Sequence, residues 1–591
     1  MQKLLLFIAF AITVMSRSLA MQVDYQLSMT KPNSHYFEVE MTITDFKDKY
    51  VDVKMPVWAP GSYLVREFSK SIGIVEAENG SGEALDVKKI TKNTWRIETK
   101  GIKTLKVKYE VYAFELSVRT SFLDDSHGYV NGTSMFMYVS GNKDATGTLK
   151  VIPHESFSKI ATSLPSEGNN EFGYEDYDQL VDCPIEIGNH TTFTFDAAGV
   201  KHTVAMYGES NADVEMLKRD MAKIVEAETK IFGENPNDEY LFIVHNITIP
   251  SGGLEHKTST TLQVNRWTYT GDDYLGFLSL VAHEYFHLWN VKRIRPKALG
   301  PFNYDEENYT DLLWVMEGFT SYYDELALRR AGFYSEDDYI NVLLGTMNYV
   351  ENSPGNRVQP TAHASFDAWI KAYRPNENSV NTTMSYYSKG AICAAMLDLY
   401  IIGKYKGEKG LDHFMQMLWK DYYLAKDVGF TEEEFQTSLE KFLGENMDWF
   451  FSKYVYGTEL VNYEKFFNNV GLKVTDLANK PTPYLGIRTS QSGGKLMIDN
   501  VYRNSAAETG GLSTNDEIIA INGYRMSQRD YNEFIGTLAI GDSFEIMVSR
   551  DNIIKNYTIT MGSRDRFKFT VEPALDPETQ KNFNYWLRVD V

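Results

Sequence analysis

The sequence predicts a multidomain α+β protein, with a β-sandwich-like amino-terminal domain, a mainly helical middle region and a small β-rich domain towards the carboxyl end. The chain of 591 residues is long enough for roughly three to four domains. Apolar and polar residues alternate in the first part of the chain, whereas apolar residues follow a helical spacing from about residue 200 onward. Strand-like segments separated by turn residues return after Pro481.

The alternation is clear at Phe37, Val39, Met41 and Ile43 and again over 105–111. A period of two is typical of strands with one buried face, which predicts the sandwich-like domain. The predicted divisions, in chain order, are a signal peptide at 1–20, the amino-terminal β domain at 21–195, the middle domain at 196–465, the small domain at 466–565 and a tail at 566–591.

The first segment has the features of a signal peptide. Met1-Gln-Lys3 is a short basic start, Leu4 to Met15 is apolar, and Ser18-Leu-Ala20 has the small-x-small pattern of a cleavage site. The apolar run is short for a membrane span. We therefore expect an exported protein, periplasmic or secreted, with a retained membrane anchor as the alternative.

The amino-acid composition indicates the cellular compartment and excludes some classes of binding partner. Cys183 and Cys393 are the only cysteines, and we expect both to be unpaired core residues, as suits a bacterial periplasm better than a disulfide-rich extracellular protein. The formal net charge of −21 argues against nucleic acid or an anionic membrane as a partner. No later segment is apolar enough to predict a membrane span in the mature protein.

The stretch Leu280–Asn290 carries a metal-binding pattern. His283 and His287 are four residues apart on a predicted amphipathic helix, so both imidazoles project from one side and can hold one zinc ion. Glu284 lies between them, next to the position of a zinc-bound water. The sequence therefore predicts a zinc-hydrolase site, with Glu284 as the catalytic base.

A two-histidine zinc site needs a third protein ligand. Glu317 comes 30 positions after His287, inside an apolar and aromatic run that predicts a second buried helix. A lone carboxylate there is costly unless it is paired or bound to a metal, so Glu317 is the predicted third ligand. Asn290 and Glu306 or Glu307 are candidate hydrogen-bond partners for the other nitrogens of the histidines.

Two further segments flank this motif. Ser251-Gly-Gly-Leu-Glu-His256 precedes the run Thr258 to Val264, which we expect to be an edge strand that binds extended peptide by strand addition. Glu255 is placed to bind a free α-ammonium group. Tyr386-Tyr-Ser-Lys-Gly-Ala391 opens an apolar helix, and a tyrosine there is a candidate donor to the oxyanion of a tetrahedral intermediate.

These motifs together resemble the glycyl aminopeptidase family of zinc metallopeptidases, which are gluzincins with a thermolysin-like catalytic domain and are related to the larger alanyl and leucyl aminopeptidases. The matching segments are Trp58-Ala-Pro-Gly-Ser-Tyr63, Gly252-Gly-Leu-Glu-His256, His283 to Pro296, Trp314 to Tyr323 and Tyr387-Ser-Lys-Gly390. The resemblance covers nearly the whole chain after residue 20. The larger aminopeptidases have Asn in their exopeptidase motif where this chain has His256, so their substrate geometry is not transferable.

The resemblance implies a zinc aminopeptidase for peptides with a free amino terminus, acting on small residues such as glycine or alanine. It implies that Glu255, with Gly252 and Gly253 in the same segment, binds the substrate, and that Tyr387 is the transition-state tyrosine. One zinc ion is expected, on His283, His287 and Glu317. The alternatives are a zinc endopeptidase and a peptide-binding protein whose metal site is vestigial.

The small domain resembles a PDZ domain. The resemblance rests on Pro483-Tyr-Leu-Gly-Ile487, Lys495 to Val501 and Ser505 to Gly523. In such a domain Tyr484 to Ile487 would form the loop that captures the carboxyl end of a peptide ligand. The domain either recruits partners through their carboxyl termini or packs on the catalytic domain as support. We expect the aromatic tail 566–591 to dock back on the protein.

Overall fold

The computed structural model describes residues 21–478 and 481–590. The predicted signal peptide, residues 1–20, lies outside the described residues. The described residues divide into two compact units, one comprising 21–294 together with 298–308, and the other comprising 295–297 together with 309–478 and 481–590. No helix among the described residues combines the length and the apolar character needed to cross a bilayer.

The amino-terminal part of the first unit consists of strands, as predicted. Its elements are β1 Gln22–Ser28, β2 Tyr36–Thr44, β3 Tyr50–Lys54, β4 Ile72–Asn79, β5 Ala84–Leu85, β6 Val87–Thr91, β7 Thr94–Glu98, β8 Thr104–Tyr112, β9 Phe122–Leu123, β10 His127–Val130, β11 Tyr138–Val139, β12 Gly147–Ile152, β13 Lys159–Ala161, β14 Ser166–Gly168, β15 Glu171–Tyr174, helix α1 Tyr177–Val181 and β16 Ile185–Gly188. They form an eight-stranded sheet in the order β14-β15-β12-β1-β2-β8-β4-β5 and two four-stranded sheets, β11-β3-β7-β6 and β13-β16-β10-β9.

The alternating residues pack into one core shared by these sheets. Strands β2 and β8 pair antiparallel with Met41 opposite Val107 and Ile43 opposite Leu105, and all four side chains are fully buried. The period of two thus sets both the register and the buried face. The β-sandwich-like amino-terminal domain predicted from the alternation is confirmed.

The rest of the first unit is a five-stranded sheet with two long helices. The elements are β17 Thr191–Ala197, β18 Val200–Tyr207, α2 Val214–Phe232, β19 Glu239–Ile247, β20 Gly252–Glu255, β21 Ser259–Asn265 and α3 Gly271–Phe286. The sheet order is β17-β18-β19-β21-β20.

This order corrects the prediction that the run from Thr258 to Val264 is an edge strand. Strand β21 pairs parallel with β19 on one side and antiparallel with β20 on the other, so the edge strand is Gly252–Glu255. The polar residues that suggested an exposed edge are instead buried and bonded, since Thr260 donates to the carbonyl of Leu254 and Gln263 accepts from Ser251.

The second unit begins as a helical domain. Its helices are α4 Leu313–Met316, α5 Gly318–Arg330, α6 Glu336–Asn352, α7 Thr361–Phe366, α8 Ser379–Thr382, α9 Tyr386–Lys404, α10 Leu411–Leu418, α11 Glu432–Leu443, α12 Asp448–Phe450 and α13 Tyr463–Phe467. Helix α9 is buried along most of its length and packs against α5 and α6. The mainly helical character predicted for the middle region is confirmed.

The small β domain and the tail complete the second unit. The elements are β22 Leu472–Asp476, β23 Thr482–Tyr484, β24 Ile487–Ser492, β25 Lys495–Val501, α14 Ala506–Thr509, β26 Glu517–Ile521, β27 Tyr524–Arg525, α15 Gln528–Thr537, β28 Ser543–Arg550, β29 Ile553–Thr560, β30 Gly562–Arg564, β31 Phe569–Pro573 and α16 Pro577–Trp586. Strands β24 to β29 form one sheet around a separate core that includes Ile498, Ile521 and Val548.

Both cysteines are buried and neither forms a disulfide, as predicted. Burial raises the pKa of the Cys183 thiol to about 12, and burial likewise raises the pKa of the Cys393 thiol to about 12. Both are therefore inert core residues, and stability depends on the hydrophobic cores.

The tail docks on the helical domain, as expected. The indole of Trp586 is fully buried, and its Nε1–H donates to the hydroxyl of Tyr322 at 3.0 Å. Arg588 binds Asp412 at 2.7 Å beside the buried Arg330. Burial alone would raise the pKa of Asp412, but the two guanidinium groups outweigh burial and hold that pKa at about 2.

Replacement of the docked indole should destabilise the protein. We expect Trp586→Ala to lower the free energy of unfolding by about 3–5 kcal/mol, because it leaves a large cavity and removes the partner of Tyr322. Urea denaturation followed by circular dichroism measures this change. Trp267→Ala is the matched control, since Trp267 is 62% exposed and should change stability little. Equal midpoints for the two variants would show that the tail contributes no packing.

Candidate active site

Helix α3 presents the two histidines together. Asp272 and Asp273 lie in its first turn, where carboxylates complement the helix dipole. The helix ends at Phe286, and His287 follows with helical backbone angles, so the spacing of one turn is kept. The ring centres of His283 and His287 are 4.8 Å apart. The helix and its shared face are therefore as the sequence predicted.

The loop after α3 fixes the orientation of His287. Its Nδ1–H donates to the backbone carbonyl of Asn290 at 2.8 Å. Because a carbonyl only accepts, Nδ1 carries a proton, and in the neutral ring this leaves the lone pair on Nε2 for a metal. The predicted partner Asn290 thus acts through its main chain. The other predicted candidate, Glu306, accepts a hydrogen bond from the side chain of Asn303.

Glu284 lies directly against the edge strand. It is 5% exposed, and a Cβ at position 253 would overlap its carboxylate. Only a glycine at 253 lets helix α3 and strand β20 approach this closely. One ligand atom each from Glu255, Glu284 and His287 lie within 4.8 Å of one another. The predicted catalytic base and the predicted substrate-binding carboxylate are therefore neighbours in one buried cluster.

The amino-terminal domain builds one wall of the Glu255 site. Gly61 has a φ of +84°, and a Cβ there would lie 2.6 and 2.7 Å from the two carboxylate oxygens of Glu255. The loop containing Gly61 is anchored by Trp58, whose Nε1–H donates to the carbonyl of Asn303 at 2.8 Å. The sequence matched Trp58–Tyr63 to the family but gave this loop no role. The one residue that could have indicated the close approach to Glu255 is Gly61.

Two further residues position the edge strand. Arg119 of the amino-terminal domain donates to the carbonyl of Ser251 at 2.9 Å and to that of Gly253 at 3.4 Å. At the other end, Asp182 binds the ring of His256 at 3.1 Å and the ammonium of Lys292 at 2.6 Å. Burial would raise the pKa of Asp182, but Lys292 and His256 together lower it well below its usual range. Sequence reasoning missed both Arg119 and Asp182.

Glu317 and Tyr387 belong to the second unit. Glu317 is 2% exposed and lies at the junction of helices α4 and α5. At Gly318 and Gly390 helices α5 and α9 touch, with no room for a Cβ at either position. Tyr387 is in the first turn of α9, which Ser385 caps by accepting from Ser388 N–H. The glycine contact therefore fixes Glu317 relative to the start of the helix that carries Tyr387.

Three family models match successive parts of the chain. Residues 24–189 match the peptidase M61 N-terminal domain, residues 276–393 match the M61 glycyl aminopeptidase, and residues 483–561 match a PDZ domain. The second of these matches includes His283, Glu284, His287, Glu317 and Tyr387.

The chain is also similar to individual known proteins. The structure of an aminopeptidase N family protein from Idiomarina loihiensis is 31% identical, covers 96% of this chain and 100% of that chain, and superposes with a TM-score of 0.89. Aminopeptidase N of Haemophilus influenzae is 25% identical over 246 residues, which are 41% of this chain but only 23% of that relative. An M1 zinc metallopeptidase from Deinococcus radiodurans is 14% identical, covers 72% of this chain and 91% of that chain, and has a TM-score of 0.45.

The fold, the buried cluster on helix α3 and the full-length likeness lead to one assignment. The chain belongs to the M61 glycyl aminopeptidase family of metallopeptidases and carries a PDZ domain near its carboxyl end.

Proposed function

We propose that the protein is a zinc-dependent aminopeptidase that releases small residues, glycine or alanine, from the amino terminus of peptides. The observation that carries this proposal is the burial of Glu255 beside Glu284 and His287. A carboxylate at the end of the edge strand would bind the substrate ammonium group. Its closeness to the catalytic base leaves room for one residue between the amino terminus and the scissile bond.

The chemistry of the donor set suits zinc. His283 and His287 offer neutral imidazole nitrogens, and the hydrogen bond from His287 Nδ1 to Asn290 directs Nε2 to a metal. The buried Glu317 would supply the third ligand, which leaves a position open for water. Zinc, when bound, lowers the pKa of that water towards neutrality and polarises the scissile carbonyl.

The chain's own groups perform the remaining steps. Glu284 accepts a proton from the attacking water and delivers it to the leaving amine. The hydroxyl of Tyr387 donates a hydrogen bond to the oxyanion of the tetrahedral intermediate. Glu255 holds the α-ammonium group, and its orientation is supported by Gly61 on one side and the strand pairing of β20 on the other. The family likeness supports the preference for small amino-terminal residues.

The purified protein tests this proposal directly. Glycine, alanine, leucine and lysine nitroanilides are offered beside a matched N-acetylated peptide, with and without a chelator. We expect chelator-sensitive release from the free-amine substrates alone, fastest for glycine or alanine. Cleavage of the blocked peptide would indicate an endopeptidase instead, and no turnover of any substrate would favour a peptide-binding role centred on the PDZ domain.

The role of Glu284 is testable by an isosteric change. We expect Glu284→Gln to lower kcat by about 10²–10⁴-fold while zinc content is kept, because the amide cannot accept the proton. Stopped assays with alanine nitroanilide measure kcat, and metal analysis measures the zinc content. Glu239→Gln makes the same change at an exposed position and should have no effect. Near wild-type turnover by this variant would show that Glu284 is not the catalytic base.

Glu255 should govern the recognition of the amino terminus. We expect Glu255→Gln to raise KM for alanine nitroanilide about 10- to 100-fold, because a charge-assisted contact with the ammonium group is lost. The N-acetylated peptide, which the wild-type enzyme is expected to leave uncleaved, shows whether the preference for a free amine is lost. A lower kcat with an unchanged KM for alanine nitroanilide would instead assign Glu255 a structural role.

The contact between Gly253 and Glu284 should be intolerant of a single methyl group. We expect Gly253→Ala to lower kcat/KM about 100-fold, because a shift of the catalytic carboxylate by an ångström is enough for such a loss. Gly276→Ala is the control. Gly276 lies on helix α3, which also carries Glu284, and a Cβ there meets nothing within 4 Å. If both variants hydrolyse alanine nitroanilide equally well, the close approach has no catalytic importance.

A further inference from the structure

A cavity of about 1470 Å³ lies within the second unit, and Tyr387 is one of its lining residues. Helix α6, the start of α9, strand β24 and the segment 564–568 contribute to its walls. It exceeds the roughly 300–1,000 Å³ of pockets that hold a single drug-sized ligand, so it has room for several peptide residues.

The charge of this cavity is opposite to that of the protein. Among the residues that the structure describes, four cationic side chains line it, Arg488, Arg564, Arg566 and Lys568, and no aspartate or glutamate does. The chain as a whole carries a formal net charge of −21. A concentration of positive charge in an acidic protein indicates a site for an anionic group.

These cations lack carboxylate partners. Within residues 21–478 and 481–590, none of the four takes part in an ion pair, whereas the nearby Lys495, Arg529 and Arg550 are each paired with an acidic residue. Three of the four, Arg488, Arg566 and Lys568, are exposed and make no side-chain hydrogen bond within the same residues. Their charges are therefore available to a ligand.

The cationic segment is held in place by helix α6. The side chain of Asn352 accepts from Phe567 N–H at 2.9 Å and donates to its carbonyl at 2.9 Å, and Asn348 accepts from Phe569 N–H at 2.8 Å. Arg564 donates to the carbonyl of Asn352 and lies over the ring of Tyr484. This fixed backbone pre-positions the charges and lowers the entropy cost of binding.

The PDZ domain forms part of this wall. It contributes Arg488 from strand β24 and Tyr502 beyond β25. Asn381 donates to the carbonyl of Val501 at 3.0 Å and accepts from Arg503 N–H at 2.9 Å, while Asn500 donates to the carbonyl of Glu377 at 2.8 Å. These bonds attach the domain to the helical domain next to Tyr387.

We propose that this cavity binds the carboxylate of the peptide portion that follows the scissile bond, and that the PDZ domain thereby helps to select short peptides with a free carboxyl terminus. The inference rests on the proposed aminopeptidase function, in which Tyr387 contacts the scissile carbonyl. A peptide bound in that way would have its following residues close to Tyr387, which also lines the cavity. A terminal carboxylate then reaches the unpaired guanidinium and ammonium groups.

The test measures binding separately from turnover. Isothermal titration of the full-length Glu284→Gln protein compares Ala-Ala-Ala-Ala as the free acid, the same peptide as its carboxyl-terminal amide, and Ala-Ala-Ala-Glu amide. We expect the free acid to bind about tenfold or more tightly than the plain amide, with a smaller difference at high salt. The glutamate peptide distinguishes a terminal carboxylate from a side-chain carboxylate as the group that is recognised.

A triple variant tests the assignment of the cations. We expect Arg488→Gln, Arg566→Gln and Lys568→Gln together to abolish the preference for the acid over the amide. All three side chains are exposed, so their replacement should leave the fold intact. The control removes three other exposed cations, Arg525, Lys441 and Lys473, and should keep the preference. Matching melting temperatures of the two triple variants check that both are folded.

The outcomes separate this inference from the proposed function. Equal binding of all three peptides, or an unchanged acid preference in the triple variant, would overturn the cavity assignment even if wild-type protein hydrolyses alanine nitroanilide. A preference for acids that the triple variant loses would support the cavity even if no substrate were hydrolysed, and only the aminopeptidase proposal would then fail.

Discussion

The close packing of helix α3 against strand β20 is the constraint on which the rest of the site depends. The contact exists because Gly253 has no side chain where the Glu284 carboxylate lies. The same strand carries Glu255, whose carboxylate lies on Gly61 of the amino-terminal domain. A sheet, a helix and a separate β domain therefore meet at two carboxylates. A glycine destabilises the folded backbone, but at Gly61 and Gly253 the missing side chain leaves the space that a carboxylate occupies.

Burial of these carboxylates is costly and must be compensated. Glu255, Glu284 and Glu317 are between 2% and 5% exposed, and an isolated charge in such a position destabilises the fold. A metal and the ammonium group of a substrate are the partners that the proposed function supplies. Each unit has a hydrophobic core, and Trp586 is buried in the second unit, so the elements that carry these groups are well packed.

Local patterns made much of this architecture predictable. The helix with His283 and His287, the strands of the amino-terminal domain and the helix that opens at Tyr386 each follow from spacing within a short segment. The edge strand was assigned wrongly, because the buried partners of Thr260 and Gln263 come from other strands and leave no local sign. Three other arrangements also join residues far apart in the chain. They are the contact of Gly61 with Glu255, the hydrogen bond from Arg119 to the carbonyl of Ser251, and the cavity lined by both Arg488 and the segment 564–568.

The central claim is that one zinc ion is held by His283, His287 and Glu317. X-ray absorption at the zinc edge, on protein with quantified metal, tests it most directly. We expect one zinc per chain with two imidazole nitrogens and oxygen ligands, and a changed spectrum with weaker zinc retention in Glu317→Gln. A spectrum without two imidazole ligands, or one that Glu317→Gln leaves unaltered, would contradict the account.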